Sequence, residues 1–450
     1  MRASIPFRFP SPEGLAELLR LAWPVVLARL GIMTMGLTDA IVVGRHSARE
    51  LAFHSLGWAP QAVMVTTSVG LLLGVQVMTA RMIGAGRGGE VGAVLRRGAV
   101  YSLQLGLGAT ALLVLAGPWV LHRIGLEPGL ADGAARALQV FALSLPFYLL
   151  SVVGQYFLEA LGKPKPGMAA MWVANVVNLA LALWLVPGGS GLPVEGAVAA
   201  GWATFFARFS LAAFLAVFIL RMREARALGV LARPIPAAAE AAEQRRIGYA
   251  AGASYFIEVG AFAGVTMIAG LLGAVGVAAW TIVFNVAGMI FMIPMGLATA
   301  TAVLVARAYG ARDGAGVRRG GALGLAVAAA GLTVICLGVW LGAEPIARAY
   351  THDPAVVAVA AGALVLSCLF FVVDGLQVVA AQALRAAGDV WLPTVLHLIS
   401  YAVIMLPLGW LFALPLGGGV NGIVWSVILA SVVSAGLLCA RFVRVARRLS

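Results

Sequence analysis

Residues 254–262 read Ser-Tyr-Phe-Ile-Glu-Val-Gly-Ala-Phe and place one carboxylate, Glu258, inside a long apolar run. Between residues 247 and 273 no other side chain is ionisable apart from two tyrosines. An acid at the centre of a membrane helix costs roughly 2.5–3.5 kcal/mol on insertion scales, so chance or solubility does not explain it. This stretch therefore predicts a membrane helix that carries a functional group.

The overall composition is that of a protein that crosses a membrane many times. Hydrophobic residues make up 62% of the 450 and charged residues only 11%, and the mean hydropathy is +0.99. A soluble domain has about 25% charged residues. No cleavable signal is predicted, because the first apolar run is far longer than that of a signal peptide. The three cysteines show neither disulfide nor metal spacing, so no metal site is expected.

Twelve apolar runs are long enough to cross a bilayer, which takes about 20 residues. They lie near residues 15–42, 52–80, 92–119, 134–161, 166–187, 194–220, 247–273, 277–306, 318–342, 355–384, 391–413 and 418–441. Most of the 31 lysines and arginines, Arg385 among them, fall at the termini and in every second loop between the predicted spans, which places them on one side of the membrane. This asymmetry predicts that both termini are cytoplasmic. Orientation explains the net charge of +13, so no nucleic-acid partner is expected.

An internal repeat divides the chain into two halves. Ala80-Arg-Met-Ile-Gly-Ala-Gly matches Ala306-Arg-Ala-Tyr-Gly-Ala-Arg at an offset of 226, which also aligns Val43-Gly44 with Ala269-Gly270 and Leu161-Gly162 with Ala387-Gly388. Six spans are an even number, so both halves enter the membrane from the same side, as parallel repeats. We predict an all-α polytopic membrane protein with an N-terminal six-helix bundle (1–220), a cytoplasmic linker (221–246) and a C-terminal six-helix bundle (247–450).

The carboxylates inside the predicted spans are the first candidates for function. Asp39 in span 1 can exchange a proton or hold a sodium ion, although an acid that reaches the outer headgroups is the alternative. Glu258 in span 7 has Tyr255 three residues before it and Phe262 four after it. Aromatic rings on the same helix face as an acid favour a dehydrated cation. Asp374 in span 10 is the second deep carboxylate of that half.

Amide side chains accompany these acids. Gln377 lies one turn after Asp374, and Asn175 and Asn178 share one face of span 5. Buried amides must be hydrogen-bonded, so each of them either lines a polar cavity or joins two helices.

Arginines inside the spans favour a structural interpretation. Arg29 and Arg208 both lie in the first half, and each is costly unless it is paired. Asp39 or Glu159 can supply the opposite charge. The second half has no arginine within a predicted span, which leaves Glu258 without an obvious partner.

Flexible and aromatic side chains are candidates for contact with an apolar ligand, because they repack around varied shapes. Pro24 in span 1 removes a helical hydrogen bond, and the resulting bend could act as a hinge. The candidate cavity residues are Met33, Met35, Met289, Met292, Phe262, Phe284, Trp280 and Tyr156. In so apolar a chain, packing against helices or lipid explains most such residues equally well.

Several motifs together carry a resemblance to a known family. In the first half they are Pro24 and Met35-Gly-Leu-Thr-Asp39-Ala-Ile-Val-Val-Gly44-Arg. In the second half they are Glu258-Val-Gly-Ala-Phe, Ile293-Pro-Met-Gly-Leu-Ala-Thr-Ala and Gln382-Ala-Leu-Arg-Ala-Ala-Gly-Asp389. Across all twelve spans and both repeats the chain resembles the bacterial branch of the multidrug and toxic compound extrusion (MATE) transporters.

This resemblance implies a cation-coupled antiporter that exports amphipathic, often cationic compounds across the bacterial inner membrane by alternating access. It implies that Glu258 and Asp374 form the cation site and that Asp39 belongs to a cavity of the first half. Ala182 stands where archaeal-type members have a further aspartate, and Phe370 where some sodium-coupled members have a tyrosine. Both H⁺ and Na⁺ therefore stay open as the coupling ion, and no other cofactor is implied.

Two alternative functions need other features. A flippase for lipid-linked oligosaccharides, from the same superfamily, usually has fourteen spans and a strongly cationic cavity, whereas the deep charges here are mostly acidic. An intramembrane enzyme would need paired catalytic groups or His-Glu metal spacing, and neither HExxH nor GxxxxGK[ST] occurs. We therefore expect a monomeric transporter in the lipid bilayer, not an enzyme.

Overall fold

The computed structural model describes residues 12–123, 126–189, 191–232 and 237–449, and its regular elements there are all helical. Residues 1–11, 124–125, 190, 233–236 and 450, which fall in the predicted bundles and linker, lie outside the described residues. The helices are α1 (Pro12–His46), α2 (Ala48–Leu71), α3 (Leu73–Gly84), α4 (Val91–Arg123), α5 (Pro128–Leu143), α6 (Leu145–Ala160), α7 (Lys165–Leu185), α8 (Gly196–Arg221), α9 (Ala238–Gly270), α10 (Gly273–Gly310), α11 (Gly314–Leu341), α12 (Ala343–Tyr350), α13 (Pro354–Ala386), α14 (Leu392–His397), α15 (Leu406–Ala413) and α16 (Gly419–Leu449). A 3₁₀ turn (Gly88–Glu90) precedes α4, and a π-helical segment (Leu398–Met405) joins α14 to α15.

These helices account for twelve membrane crossings. Within the described ranges, eleven helical segments are long and apolar enough to span a bilayer. The pair α5 and α6, bent by 41°, supplies a twelfth. A helix satisfies its own backbone hydrogen bonds, which the lipid interior cannot do. The predicted all-α polytopic fold is confirmed.

The connection between the halves differs in part from the prediction. α9 begins at Ala238, so residues 238–246 extend the seventh span instead of belonging to the linker. The segment that follows α8 folds back on the start of α4. The Gly92 N–H donates to the Leu228 carbonyl at 2.8 Å, and Arg96 donates to the Gly229 carbonyl at 2.7 Å.

The bend between α5 and α6 has a clear cause. Pro146 has no N–H, so the carbonyl of Ala142 loses its helical partner. The Thr110 hydroxyl donates to that carbonyl at 2.7 Å instead. The bend leaves the Ser144 side chain buried where α8 can reach it. Pro24, by contrast, lies within the unbroken helix α1, so a hinge there stays a prediction.

The π-helical segment widens the helix beside the second-half acids. The Leu406 N–H donates to the carbonyl of Tyr401, five residues back. π-helical turns occur often at functional sites, because the wider turn redirects side chains. Here the Tyr401 side chain is fully buried.

Helices of the two halves cross at two places, and the two crossings are related by the internal repeat. A β-carbon added to Gly70 in α2 would lie 2.7 Å from the Cα of Gly252 in α9. One added to Gly296 in α10 would lie 3.0 Å from the backbone nitrogen of Val26 in α1. The offset of 226 places Gly70 on Gly296 and Val26 on Gly252. The seam between the halves therefore follows the two-fold relation expected of parallel repeats.

A second pair of related contacts closes one end of the seam. Arg81 donates to the carbonyls of Arg385 at 2.8 Å and Ala386 at 3.1 Å. Arg307 donates to the carbonyl of Ala160 at 2.7 Å. The offset again places Arg81 on Arg307 and Ala160 on Ala386. Helices α3, α6, α10 and α13 all terminate at this end of the molecule. We call this end the arginine-rich face.

Backbones also touch at the arginine-rich face. A β-carbon at Gly84 would overlap the carbonyl of Arg307, and one at Gly310 would overlap that of Arg81. The largest buried apolar cluster contains side chains from both halves. The seam is thus closed at this face.

The glycine crossings generate a first prediction. Gly70→Ala should lower the melting temperature of the detergent-purified protein, because overpacking of a tight contact costs about 1–3 kcal/mol. Gly260→Ala is the control, since a β-carbon there meets nothing within 4 Å. Thermal unfolding followed by tryptophan fluorescence compares the two. Equal melting temperatures for both variants would contradict the tight crossing.

Candidate functional site

Asp374 is the most closely coordinated acid of the second half. Its Oδ1 accepts a hydrogen bond from the Tyr401 hydroxyl at 3.1 Å and a longer one from Gln377 Nε2 at 3.4 Å. All three side chains are buried. The structure therefore brings together Asp374 and Gln377, as predicted, and adds Tyr401, which no sequence pattern singled out. Phe370 cannot contribute an oxygen, so the phenol near Asp374 comes from a different helix.

Glu258 on α9 faces the same site. It lies within electrostatic range of Asp374 and of Arg385. One turn further on, the Phe262 ring lies 6.1 Å from the Tyr401 ring. Two acids in one buried site repel each other when both are ionised, so a proton or a cation held between them is favoured. The predicted pairing of Glu258 with Asp374 is thus geometrically possible.

Arg385 corrects the prediction that the second half has no arginine within a span. α13 continues to Ala386, and Arg385 is 1% exposed. Its Nε and Nη2 have no hydrogen-bond partner among the described residues. No salt bridge within 4.0 Å joins it to Glu258, although the two charges attract. The predicted span ended at residue 384, whereas the helix continues through Arg385 to Ala386.

A polar layer supports the second-half site from the arginine-rich side. Gln382 Nε2 donates to the Tyr255 hydroxyl at 2.7 Å. Ser254 Oγ lies 2.6 Å from Nδ1 of His397, and the His397 ring packs edge-on against Tyr401 at 5.6 Å. Ser254 and His397 therefore fix the orientation of Tyr401. The scattered histidines of the sequence gave no sign of this role.

The first half contains a separate acid. Thr204 Oγ1 donates to Asp39 at 2.7 Å, and Asn178 Nδ2 donates to Thr204 at 3.4 Å. Asp39 is 1% exposed, and its Oδ1 has no partner among the described residues. Asp39 is therefore not an acid that reaches the headgroups, which was the alternative interpretation. Thr204 was not predicted, because a lone threonine in an apolar helix carries no distinctive pattern.

Asn175 joins two helices of that half. Its Nδ2 donates to the carbonyls of Gly31 at 3.0 Å and Met171 at 2.9 Å. These bonds tie α7 to α1 beside Asp39. Of the two predicted asparagines, Asn178 touches the hydrogen-bond network of the acid and Asn175 braces its scaffold.

Arg29 and Glu159 form the predicted buried pair. Arg29 Nη2 lies 3.9 Å from Glu159, which also accepts a hydrogen bond from Gln76 at 2.7 Å. The guanidinium of Arg29 lies over the Tyr156 ring at 5.6 Å. Tyr156 is buried by this contact, so it belongs to the scaffold of the pair.

Arg208 is held differently. Its Nη1 donates to the Ser144 hydroxyl at 2.8 Å, at the bend between α5 and α6. Its guanidinium lies 4.6 Å from the Tyr148 ring centre and 5.4 Å from that of Trp58. It attracts Asp39 without forming a salt bridge. Aromatic faces therefore compensate for part of its charge.

Buried charges are more balanced than the sequence indicated. Acids still outnumber bases among the deep charges, as expected, but only by four to three, because a third arginine, Arg385, is buried in the second half. The acids are the buried Asp39, Glu159 and Asp374 and the half-buried Glu258, and the bases are Arg29, Arg208 and Arg385.

The predicted apolar cavity residues divide into two groups. Met35, Trp280 and Tyr156 are buried in the packed interior, and the indole of Trp280 donates to Thr266 at 3.0 Å. The accessible group comprises the exposed Met33, Phe284 and Met289 and the half-buried Phe262 and Met292. Only the accessible group can contact a ligand without repacking of the core.

Comparisons with known proteins agree with this architecture. A sequence model of the MatE family matches residues 24–184 and 250–411, one segment in each half. A probable multidrug resistance protein NorM of Caulobacter vibrioides is 57% identical over 437 residues, which cover 97% of this chain and 92% of that protein. The multidrug resistance protein PmpM of Pseudomonas aeruginosa is 31% identical over 450 residues, with 96% and 92% covered.

Solved structures show the same fold. A multidrug resistance MATE family transporter in an outward-facing conformation superposes with a TM-score of 0.89 at 19% identity, covering 97% of this chain and 96% of that one. A eukaryotic MATE transporter superposes with a TM-score of 0.87 at 16% identity, with 97% and 98% covered. The family match on both halves, the curated relatives and the shared fold lead to one conclusion: the chain belongs to the MATE family, as a bacterial NorM-like member.

Proposed function

We propose that this protein is an antiporter that exports amphipathic, often cationic compounds in exchange for H⁺ or Na⁺. The observation that carries the proposal is the cluster formed by the half-buried Glu258 with the buried Asp374 and Tyr401 in the second bundle. The relatives named as multidrug resistance proteins support the substrate class. The solved structures of the same fold are named as transporters, and no enzymatic step is proposed.

Charge explains how such a cluster couples two movements. Glu258 and Asp374 lie in a medium of low dielectric constant, where an uncompensated charge is costly. A bound proton or sodium ion lowers that cost, and its departure leaves negative charge that attracts a cationic substrate. Ion and substrate therefore favour opposite states of the same site, which is the requirement for exchange. Asp39 with Thr204 offers a second acid of the same kind in the other bundle.

The closed end of the seam supports alternating access. By the positive-inside rule the arginine-rich face is cytoplasmic, with both termini on that side of the inner membrane. A seam closed there corresponds to a cavity that opens outward. Inward opening requires the contacts of Arg81 and Arg307 to break, and a hydrogen bond to a charged group contributes about 1.5–3 kcal/mol. One charge that moves through 100 mV supplies about 2.3 kcal/mol, a comparable amount.

The second prediction concerns the two acids. Glu258→Gln and Asp374→Asn should each abolish gradient-driven movement of a fluorescent cationic dye in proteoliposomes, because the amides cannot take up a proton and bind Na⁺ poorly. Imposed H⁺ and Na⁺ gradients are measured separately, so that the coupling ion is identified. Glu344→Gln is the control, since that exposed acid pairs only with Arg348 at a helix end.

Three outcomes would contradict the proposal. The dye could move independently of both gradients, both acid variants could transport at the wild-type rate, or Glu344→Gln could lose as much activity as they do. Vesicles with a fluorescent lipid-linked sugar test the flippase alternative. The three buried arginines do not outnumber the four acids, so the interior is not strongly cationic, and translocation of the sugar without dye transport would be needed to favour this alternative.

The third prediction concerns Tyr401. Tyr401→Phe removes the hydroxyl that donates to Asp374 and leaves the ring that packs against Phe262 and His397. If sodium is the coupling ion, the Na⁺ concentration for half-maximal transport should rise several-fold, because one oxygen beside the carboxylate is lost. Tyr350→Phe, at an exposed tyrosine, is the control. An unchanged dependence on both ions in Tyr401→Phe would exclude the phenol from the site.

A further inference from the structure

A cavity at the arginine-rich face lies between the two halves and is separate from the buried acids. Its volume is about 400 Å³. The first half contributes the end of α3 and the turn that follows it, and the second half contributes the end of α10 and the start of α11. Its lining includes Arg81, Arg87, Tyr309, Arg312, Asp313 and Leu449.

The polar side of this cavity is basic. Arg81 is fixed by carbonyl groups and by an ion pair with Glu243 at 3.3 Å, and it packs over the Tyr309 ring at 4.8 Å. Arg87 pairs with Glu90 and with Glu240. Asp313 is the one acid of the lining, and its Oδ1 caps α11 by accepting from the Gly316 N–H at 2.8 Å.

Arg312 stands apart from these partnered groups. No hydrogen bond or salt bridge joins its side chain to the described part of the chain. It is also the one non-glycine residue there with a positive φ, +57°. A β-carbon is disfavoured in this left-handed conformation, so an arginine here needs an explanation.

The internal repeat allows Arg312 to be compared with its equivalent in the first half. The offset of 226 places Arg312 on Gly86, whose φ is +74°. The two helix ends form the same cap: the Arg87 N–H donates to the Met82 carbonyl at 2.9 Å, and the Asp313 N–H donates to the Ala308 carbonyl at 2.9 Å. Glycine is the residue that suits this position, and the first half uses it. In the second half the position carries a guanidinium at a basic cavity, in spite of the strain.

Other walls of the cavity are apolar. Met78 and Met82 line it from α3, Val317 from α11 and Leu449 from α16. The cavity therefore combines basic side chains with an apolar surface at the ends of membrane spans. Basic pockets of this kind, between helices at the membrane boundary, suit the headgroup and upper chains of an anionic lipid.

We propose that this cavity binds a phosphate-bearing anion, supplied by an anionic phospholipid of the membrane. Arg312 and Arg87 contact the phosphate, and the apolar walls cover the first carbons of the acyl chains. Because the lining comes from both halves, the bound lipid bridges them and favours the state in which the arginine-rich face is closed. This site is independent of the acids of the second bundle and of the transported compound.

The test uses the purified full-length protein in mixed micelles that contain phosphatidylglycerol, phosphatidylcholine or neither, with inorganic phosphate as a further arm. Phosphatidylglycerol should raise the melting temperature by about 3 °C or more above phosphatidylcholine. Arg312→Gly should raise the concentration of phosphatidylglycerol needed for half-saturation at least tenfold. In the absence of lipid its melting temperature should equal or exceed that of the wild type, because glycine suits the backbone.

Two matched variants separate the site from general electrostatics. Arg312→Gln removes the charge and keeps the β-carbon, and it should lose lipid stabilisation as Arg312→Gly does. Arg444→Gln removes an exposed arginine of α16 outside the cavity, and it should respond to lipid as the wild type does. Stabilisation by inorganic phosphate with the same dependence on Arg312 would support the anion site and assign it to a free anion.

The proposal is overturned if phosphatidylglycerol stabilises no more than phosphatidylcholine and phosphate has no effect. It is also overturned if both Arg312 variants keep the wild-type response, or if Arg444→Gln loses as much of it. None of these measurements involves dye transport, so failure here leaves the proposed antiport untouched.

Discussion

The close approach of backbones across the seam is the constraint on which the rest of the structure depends. The lack of a side chain at Gly70, Gly252 and Gly296 lets helices from opposite halves approach closely enough for backbone atoms to meet. Such close packing is the usual way to associate helices in lipid, where no hydrophobic force drives them together. These crossings set the distance between the bundles, and that distance brings Tyr255 within electrostatic range of Arg29. The buried charges of both halves therefore share one interior.

Sequence predicted the scaffold well, because hydropathy and charge bias are summed over many residues. The repeat offset also proved accurate in three dimensions, down to Ala160 and Ala386 as equivalent acceptors. Individual contacts were harder to predict. Tyr401 reaches Asp374 because a π-helical turn redirects it, and no periodicity announces such a turn. Arg385 was misplaced because an alanine-rich stretch marks no boundary between helix and loop.

The burial of single apolar residues could not be predicted for a related reason. Met33 and Met35 lie on one helix, yet the first is exposed and the second is buried. A helix that is apolar on every side gives no periodic signal of which face meets lipid, cavity or core. Polar residues were more informative, since each needs a partner. Even so, the sequence offered partners only among charged residues: it left Asp39 and Glu159 open for Arg29 and Arg208, and the structure pairs Arg29 with Glu159.

The arginine-to-carbonyl contact that closes the arginine-rich face occurs twice, with donor and acceptor exchanged between the halves. Arg81 reaches Ala386 and its equivalent reaches Ala160, as in the self-complementary interface of a two-fold dimer. One six-helix chain with a single arginine and a single acceptor helix end would form both contacts with a second copy of itself. The seam thus has the form of a self-complementary dimer interface, although both of its sides belong to one chain. The same offset of 226 places the acid Glu159 on the base Arg385, so the two sides share their backbone contacts and differ in buried charge.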